Sequence, residues 1–240
     1  MSEILFEERG GGVGVITFNR PDKRNAFNTQ MRRGLYDLLR DNRLQSLTAV
    51  VLKANGPSFC AGADLKEGLS ATDKQQTSAG SDLMLQFRRT RPIVIGAVQG
   101  GALGLGCGIA MACDIVIAAD DAMFGYPEVP HGRVAAITMV GLQSIVPARV
   151  ALELLVTGRQ VPASEALALR MINEVTSRGN LDARAMGLAR KVATYSPLAL
   201  QATKRFFYES SEMPFSVATR AAERVIEAVK MAPRPEAAKS

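Results

Sequence analysis

The stretch Val98-Gln99-Gly100-Gly101-Ala102-Leu103-Gly104-Leu105-Gly106-Cys107-Gly108 decides the fold. A β-rich run at 92–98 leads into it, and a small-residue helical pattern at 105–113 leads out. Glycines at such a crossing let another backbone or a ligand come close, and the helix start presents unpaired N–H groups at its positive end. The glycines at 104, 106 and 108 do not follow the dinucleotide spacing G-x-G-x-x-G, and no phosphate-loop Gly-Lys-Ser/Thr is present, which disfavours nicotinamide and ATP sites. Close packing of a helix through Gly106, Gly108, Ala110 and Ala112 accounts for the same residues and does not exclude function.

Working outward, the same grammar repeats on both sides. Downstream, 115–118 reads as a strand and Phe124 begins another short extended piece. Upstream, 49–53 is a short buried strand followed by a loop over 55–62, and 66–80, rich in Ser, Thr, Gln and Gly, reads as a mobile segment before helical spacing resumes at 83–91. Nearer the start, Ile4–Glu8 and Val13–Phe18 form a hairpin through Gly10-Gly11-Gly12, with a turn at Arg20-Pro21-Asp22. From Asn28, an N-cap residue, Met31, Leu35, Leu38 and Leu39 recur on one helical face. From about Ala136 onward the pattern is helical throughout, and the tail 232–240 reads as unstructured. Strand and helix turns followed by a run of helices predict a layered α/β core over 1–190 with a helical C-terminal region over 191–240.

Composition removes several function classes. With 240 residues, 47% of them hydrophobic, the chain fills a core of its own. Its net charge of +6 favours an anionic ligand, but 5% aromatics with no Trp leave no stacking platform for single-stranded nucleic acid. Cys60, Cys107 and Cys113 include no C-x-x-C pair, so neither a disulfide framework nor a cysteine metal site is expected, and the chain reads as reduced and cytoplasmic. No signal pattern opens the sequence, and Asp114 and Asp120 interrupt its most apolar stretch, so no membrane partner is expected. The single histidine, His131, and the lack of a second glycine in Gly56-Pro57-Ser58-Phe59-Cys60 disfavour Ser-His-Asp hydrolysis.

Two further segments can carry chemistry. In Ser58-Phe59-Cys60-Ala61-Gly62-Ala63-Asp64-Leu65, small residues after a buried strand allow close approach to main-chain N–H groups; an ordinary tight turn reads the same way. Cys60 borders this loop without an evident base, which makes it a lining residue. In Phe124-Gly125-Tyr126-Pro127-Glu128-Val129-Pro130-His131-Gly132-Arg133, a glutamate stiffened by two prolines has apolar neighbours. Desolvation can raise its pKa and suit it to proton transfer; an exposed loop glutamate or a structural ion pair with Arg133 fits the same residues.

Taken together and in order, these segments resemble the crotonase (enoyl-CoA hydratase/isomerase) superfamily. The resemblance also rests on Phe18-Asn19-Arg20-Pro21, Asn25-Ala26, Ala112-Cys113-Asp114 and Leu155-Val156-Thr157-Gly158, and covers roughly residues 4 to 210. It implies a spiral of strand–strand–helix turns with a helical trimerisation region, assembled as a homotrimer or hexamer. It implies that the N–H groups of Ala63 and Leu105 form an oxyanion hole for an acyl-CoA thioester, with Glu128 as acid and base. It places coenzyme A contacts at Lys23, Arg24 and Ala26 and at Ala61, Asp64 and Leu65, with Lys23 and Arg24 toward phosphates and Ala61 toward adenine. No cofactor is implied beyond the coenzyme A moiety of the substrate.

Departures from the family pattern set the expected subtype. Typical hydratases carry one glutamate on the glycine-rich helix and another in the Pro-Glu block; here the first position is Gly108 and only Glu128 remains. One carboxyl group suffices to move a proton along an acyl chain, so the expectation leans to double-bond isomerisation. Hydration or hydration with cleavage by Glu128 alone is the alternative, and a CoA-binding subunit without turnover is the alternative from another class. Arg133, with His131, is a candidate for a polar or carboxylated acyl tail; pairing of Arg133 with Asp120 or Asp121, or its exposure at a subunit boundary, is the plainer expectation. The C-terminal residues 227–233 lack the family's usual ending, and no site residue is assigned beyond Arg133.

Overall fold

The computed structural model describes residues 2–67 and 74–232, without the side chains of 74–81. Strands β1 (Ile4–Glu8) and β2 (Val13–Phe18) form the expected antiparallel hairpin, turned by Gly10, Gly11 and Gly12 at positive φ. Helix α1 (Thr29–Leu38) starts at Asn28, whose Oδ1 accepts the Met31 N–H at 2.7 Å, and the short α2 (Asn42–Gln45) follows. Next come β3 (Ala49–Ala54), α3 (Lys74–Arg89), β4 (Ile93–Val98), β5 (Gly101–Leu103), α4 (Leu105–Ala112), β6 (Ile115–Ala119) and β7 (Met123–Gly125). The remainder contains α5 (Ala136–Gln143), α6 (Ala148–Thr157), β8 (Val161–Pro162), α7 (Ala163–Ala168), β9 (Glu174–Thr176), α8 (Leu181–Ala193), α9 (Pro197–Ser210) and α10 (Phe215–Met231).

Two layers of sheet build the spiral. The main sheet has the order β1-β2-β3-β4-β6-β9, with every pair after the hairpin parallel. Its central strands are apolar on both faces, as parallel strands covered on both sides must be. Val15, Val51, Ile95 and Ile117 point to one face, where Leu181, Ala185, Ala189 and Val192 of α8 cover them. Ile16, Leu52, Val98 and Val116 point to the other, toward α1, α3 and α4. The second layer is β5-β7-β8, extended by single parallel bridges Cys60↔Ala102 and Phe27↔Ala63. Each turn thus passes from the main sheet through a short extended piece into a helix, and the candidate loops lie at those crossings.

Three features differ from the sequence expectation. The segment expected to be mobile over 66–80 is helical from Lys74, because Leu83 and Phe87 anchor α3 in the core and its polar first half continues that helix; residues 68–73 lie outside the described residues. The region after Ala136 is not helical throughout: β8 pairs with β7, and β9 adds to the main sheet beside β6. Both are two or three residues long, too short for a periodic signal. The tail expected to be unstructured lies outside the described residues from 233 onward.

A buried ionic cluster ties α9 to the main sheet. Lys204 of α9 donates to Asp114 Oδ2 at 2.6 Å and to Pro92 O at 2.9 Å, while Tyr208 donates to Asp114 Oδ1 at 2.9 Å. Burial pushes the Lys204 ammonium down, against the opposing pull of Asp114. Beyond α9, α10 leaves Phe215 and Met231 almost fully exposed. No helix among the described residues is long and apolar enough to cross a membrane.

Candidate active site

The loop after β3 is held from both sides. Asn25, buried at positive φ, donates to Asn55 O at 2.9 Å and Ser58 O at 2.8 Å while its Oδ1 accepts the Arg20 N–H. Arg20 in turn pairs with Asp64 at 2.6 Å, which holds that carboxyl below its ordinary range. Farther in, Cys60 N–H donates to Gly101 O and Leu103 N–H to Cys60 O, while Phe27 N–H donates to Gly62 O and Asp64 N–H to Phe27 O. Phe27 therefore bonds the residues on either side of Ala63 and leaves the Ala63 N–H directed away from it, as a parallel bridge requires.

The second donor comes from α4. Leu105 is its first residue, so its N–H has no partner within the helix. Neither Ala63 N–H nor Leu105 N–H has an acceptor among the described residues. Gly62 brings the two together: a Cβ built there would lie 3.1 Å from Leu103 O and 3.8 Å from Leu105 N. Gly106 does the same from the helix side, since a Cβ there would stand 2.3 Å from Cys60 O. Close approach at two glycines thus brings the loop carrying Ala63 against the start of α4.

Glu128 completes the site. It begins a 3-10 turn at Val129–His131, and its carbonyl accepts from His131 N–H and Arg133 N–H. Gly158, at the end of α6, packs against Pro130 and Pro127 and fixes this turn from behind. The carboxylate lies over Gly104, where a Cβ would stand 3.0 Å from Oε1, and Oε2 is buried without a hydrogen-bond partner. Burial pushes the Glu128 carboxyl above its ordinary range, partly offset by its own backbone and by the Arg133 charge. Tyr126, buried beside the Cys107 thiol, also has an unpartnered hydroxyl. Desolvated groups with free hydrogen-bonding capacity beside two backbone donors can bind a carbonyl oxygen and transfer a proton next to it.

The position one helical turn beyond Gly104 is closed. A Cβ at Gly108 would lie 2.5 Å from Thr138 Cγ2 and 2.7 Å from Thr138 Cβ, so α4 and α5 touch there almost backbone to side chain. Thr138, Tyr126 and Asn25 are the residues that sequence reasoning did not assign; Asn25 and Tyr126 stood inside quoted motifs, whereas nothing local marks Thr138.

The remaining predicted residues fall as follows. Lys23, Arg24, Ala61 and Leu65 are exposed around the 58–65 loop, and Ala26 is half-buried beside them. Ala61 N–H is taken by Arg24 O at 3.0 Å. The Asp64 carboxyl is engaged by Arg20 and by the Lys66 N–H, and its main-chain N–H by Phe27 O. Arg133 is exposed and does not pair with Asp120 or Asp121: Asp121 pairs with Arg178, and Asp120 accepts the Arg178 N–H. His131 Nδ1 donates to Pro127 O at 2.7 Å, so that ring stabilises its own turn and presents only Nε2 outward. Cys60 and Cys107 are buried, with thiols pushed up to about 12, consistent with lining rather than nucleophilic roles. From Val129 outward runs a cavity of about 480 Å³ lined by Val134, Met139, Leu152 and Val156. Among the described residues no group of three or more His, Cys, Asp and Glu side chains is arranged to hold a metal ion.

A spiral of strand, short strand and helix that brings the 58–64 loop against the start of α4, with a desolvated carboxylate beside Gly104, defines the class: a crotonase-type fold. The chain belongs to the enoyl-CoA hydratase/isomerase family, whose model matches residues 8–231. A Thermus thermophilus protein described as an enoyl-CoA hydratase is 38% identical over 208 residues, covering 83% of this chain and 82% of that protein. The crystal structure of an enoyl-CoA hydratase from Mycobacterium smegmatis superimposes with a TM-score of 0.91 at 30% identity, covering 97% of this chain and 93% of that one. A Thermobifida fusca protein of the same type, solved in complex with CoA, gives a TM-score of 0.88 at 27% identity, covering 94% and 92%. The expected α/β spiral with a helical C-terminal part is borne out by these likenesses.

Proposed function

We propose that this protein acts on an enoyl-CoA thioester, holding the thioester oxygen on the N–H groups of Ala63 and Leu105 and using Glu128 as its single acid and base, with double-bond isomerisation as the reaction. The observation that carries this reading is the position of Glu128: a desolvated carboxylate with an unpartnered oxygen beside the two free donors. Asp64, the other carboxylate near the loop, is held by Arg20. Glu128 removes a proton from C2 of a 3-enoyl thioester, and the electron pair moves onto the thioester oxygen. The same carboxyl returns the proton to C4, and the double bond comes to rest between C2 and C3. No water is consumed.

Around this centre, Lys23 and Arg24 meet the CoA phosphates, and the backbone at Ala26, Ala61, Asp64 and Leu65 borders the nucleotide. The exposure of Lys23 and Arg24, outside any ion pair among the described residues, supports this placement. Arg133 meets a polar or carboxylated acyl tail, with His131 Nε2 beside it. Exposed apolar side chains at Val134, Leu152, Phe215 and Met231 support assembly as a trimer or hexamer. Three free, buried thiols suit a reducing compartment such as the cytoplasm. Hydration is the second reading, favoured by the names of the relatives.

The deciding experiment is a panel of CoA thioesters in heavy-oxygen water followed by mass spectrometry. The expected result is conversion of 3-hexenoyl-CoA to the 2-enoyl isomer without label, abolished by Glu128→Gln. Robust hydration of crotonyl-CoA that survives Glu128→Gln refutes the single-carboxylate mechanism, and tight CoA binding with no product anywhere in the panel refutes an enzymatic role. For Arg133→Ala, the loss is expected to be larger on a dicarboxylyl-CoA than on a plain enoyl-CoA; equal losses remove Arg133 from recognition.

A further inference from the structure

We propose that the methyl group of Thr138 determines reaction specificity by occupying the place from which a water molecule would reach the enoyl chain, so that the site isomerises rather than hydrates. The inference rests on the reading of the site as a single-carboxylate enoyl-CoA centre. Gly104, which precedes α4 at positive φ, accepts the Gly108 N–H at 3.0 Å, so the two glycines lie one hydrogen-bonded turn apart, about 6 Å along the axis. The space in front of Gly104 is taken by the Glu128 carboxylate, at 3.0 Å from a built Cβ, and the space in front of Gly108 by Thr138 Cγ2, at 2.5 Å. One hydrogen-bonded turn beyond the residue that faces the acid, α4 is thus packed against a methyl group and not against a polar side chain.

Thr138 cannot turn its hydroxyl into that space without loss. It is 6% exposed, and its Oγ1 donates to Ala135 O at 3.2 Å, which points Cγ2 toward α4. A chain whose carbonyl is held at Leu105 N–H starts within one helical turn of this contact. Adding water at C3 requires a water held there: its oxygen bonds to C3, its proton passes to Glu128, the π pair moves to the thioester oxygen, and Glu128 returns a proton to C2. A water needs roughly 30 Å³ and two or more polar partners, and a methyl packed on a glycine supplies neither. Removing Cγ2 opens about that volume and leaves Oγ as a partner.

The test uses Thr138→Ser, which deletes Cγ2 and keeps the hydroxyl, against Thr138→Val, which keeps Cγ2 and deletes the hydroxyl. In heavy-oxygen water with crotonyl-CoA, label uptake relative to 3-hexenoyl-CoA isomerisation is expected to rise about tenfold or more in Thr138→Ser, the range a single methyl in a pocket commands. Thr138→Val is expected to keep the wild-type partition. In parallel, Gly108→Ala is expected to lower the melting temperature, and Thr138→Gly in the same chain to restore it. An unlabelled wild type with an unchanged partition in Thr138→Ser overturns the inference alone, as does a Gly108→Ala protein as stable as the wild type or a rise in label in Thr138→Val. Labelled product from the wild type overturns the isomerase reading, and this inference with it.

Discussion

Replacing Gly106 by alanine separates the two backbone donors without touching either. A Cβ at Gly106 stands 2.3 Å from Cys60 O and 2.7 Å from Cys60 Cβ. Carbon and carbonyl oxygen meet comfortably at about 3.3 Å, so α4 and the 58–64 loop must part by about 1 Å. The loop cannot yield freely, because Cys60 is bonded to β5 through its N–H at 3.0 Å and its carbonyl at 2.9 Å. Overpacking of this kind destabilises by about 1–3 kcal/mol. The larger effect falls on chemistry: losing one aligned oxyanion donor costs about 2.7–4 kcal/mol, or roughly 10²–10³ in kcat. Steady-state kinetics on the thioester turned over most readily, together with thermal melts, read both numbers. A drop in kcat with KM changed little is expected, because the donors bind charge that develops only in the transition state. A folded Gly106→Ala protein with wild-type kcat refutes the reasoning.

Other perturbations test separate parts of the structure. Glu128→Gln is expected to lower kcat by about 10²–10⁴. Since burial raises the Glu128 carboxyl, the folded chain prefers its protonated form; the stability this contributes is full below the ordinary carboxylate pKa and is lost as pH rises through the folded-state value. The melting temperature of Glu128→Gln relative to wild type therefore climbs as pH rises from below the carboxylate range to neutrality, and a difference independent of pH contradicts this. Asp114→Ala leaves the Lys204 ammonium buried without its partner and is expected to cost about 3–5 kcal/mol in urea unfolding, with part restored by adding Lys204→Met. On the outer side of α8, a Cβ at Gly187 meets nothing within 4 Å, so Gly187→Ala is expected to raise the unfolding free energy by about 0.8–1 kcal/mol; a loss there contradicts the described packing.

Much of the fold was legible because its signals are local. The hairpin ran between the predicted residues, Asn28 capped α1, and the glycine stretch after Val98 did pass from strand to helix. The strands β8 and β9 escaped notice because their pairing energy comes from neighbours already in the sheet, not from any alternation of their own. The early start of α3 was hidden by a polar composition that its buried second half overrides.

The sequence by itself determined the family and singled out the two glycine-containing loops and Glu128 as candidates, since each is written in a contiguous motif whose glycines and prolines restrict the backbone locally. Tertiary structure alone decided what surrounds them. Thirty residues of chain separate Gly108 from Thr138, and Arg20 reaches Asp64 across 44 positions. Such contacts depend on how one turn of the spiral stacks on the next. That stacking leaves a methyl at Gly108, assigns the Asp64 carboxyl to Arg20 and removes Arg133 from Asp121, because close packing gives each buried surface one neighbour and each charge the partner it can reach.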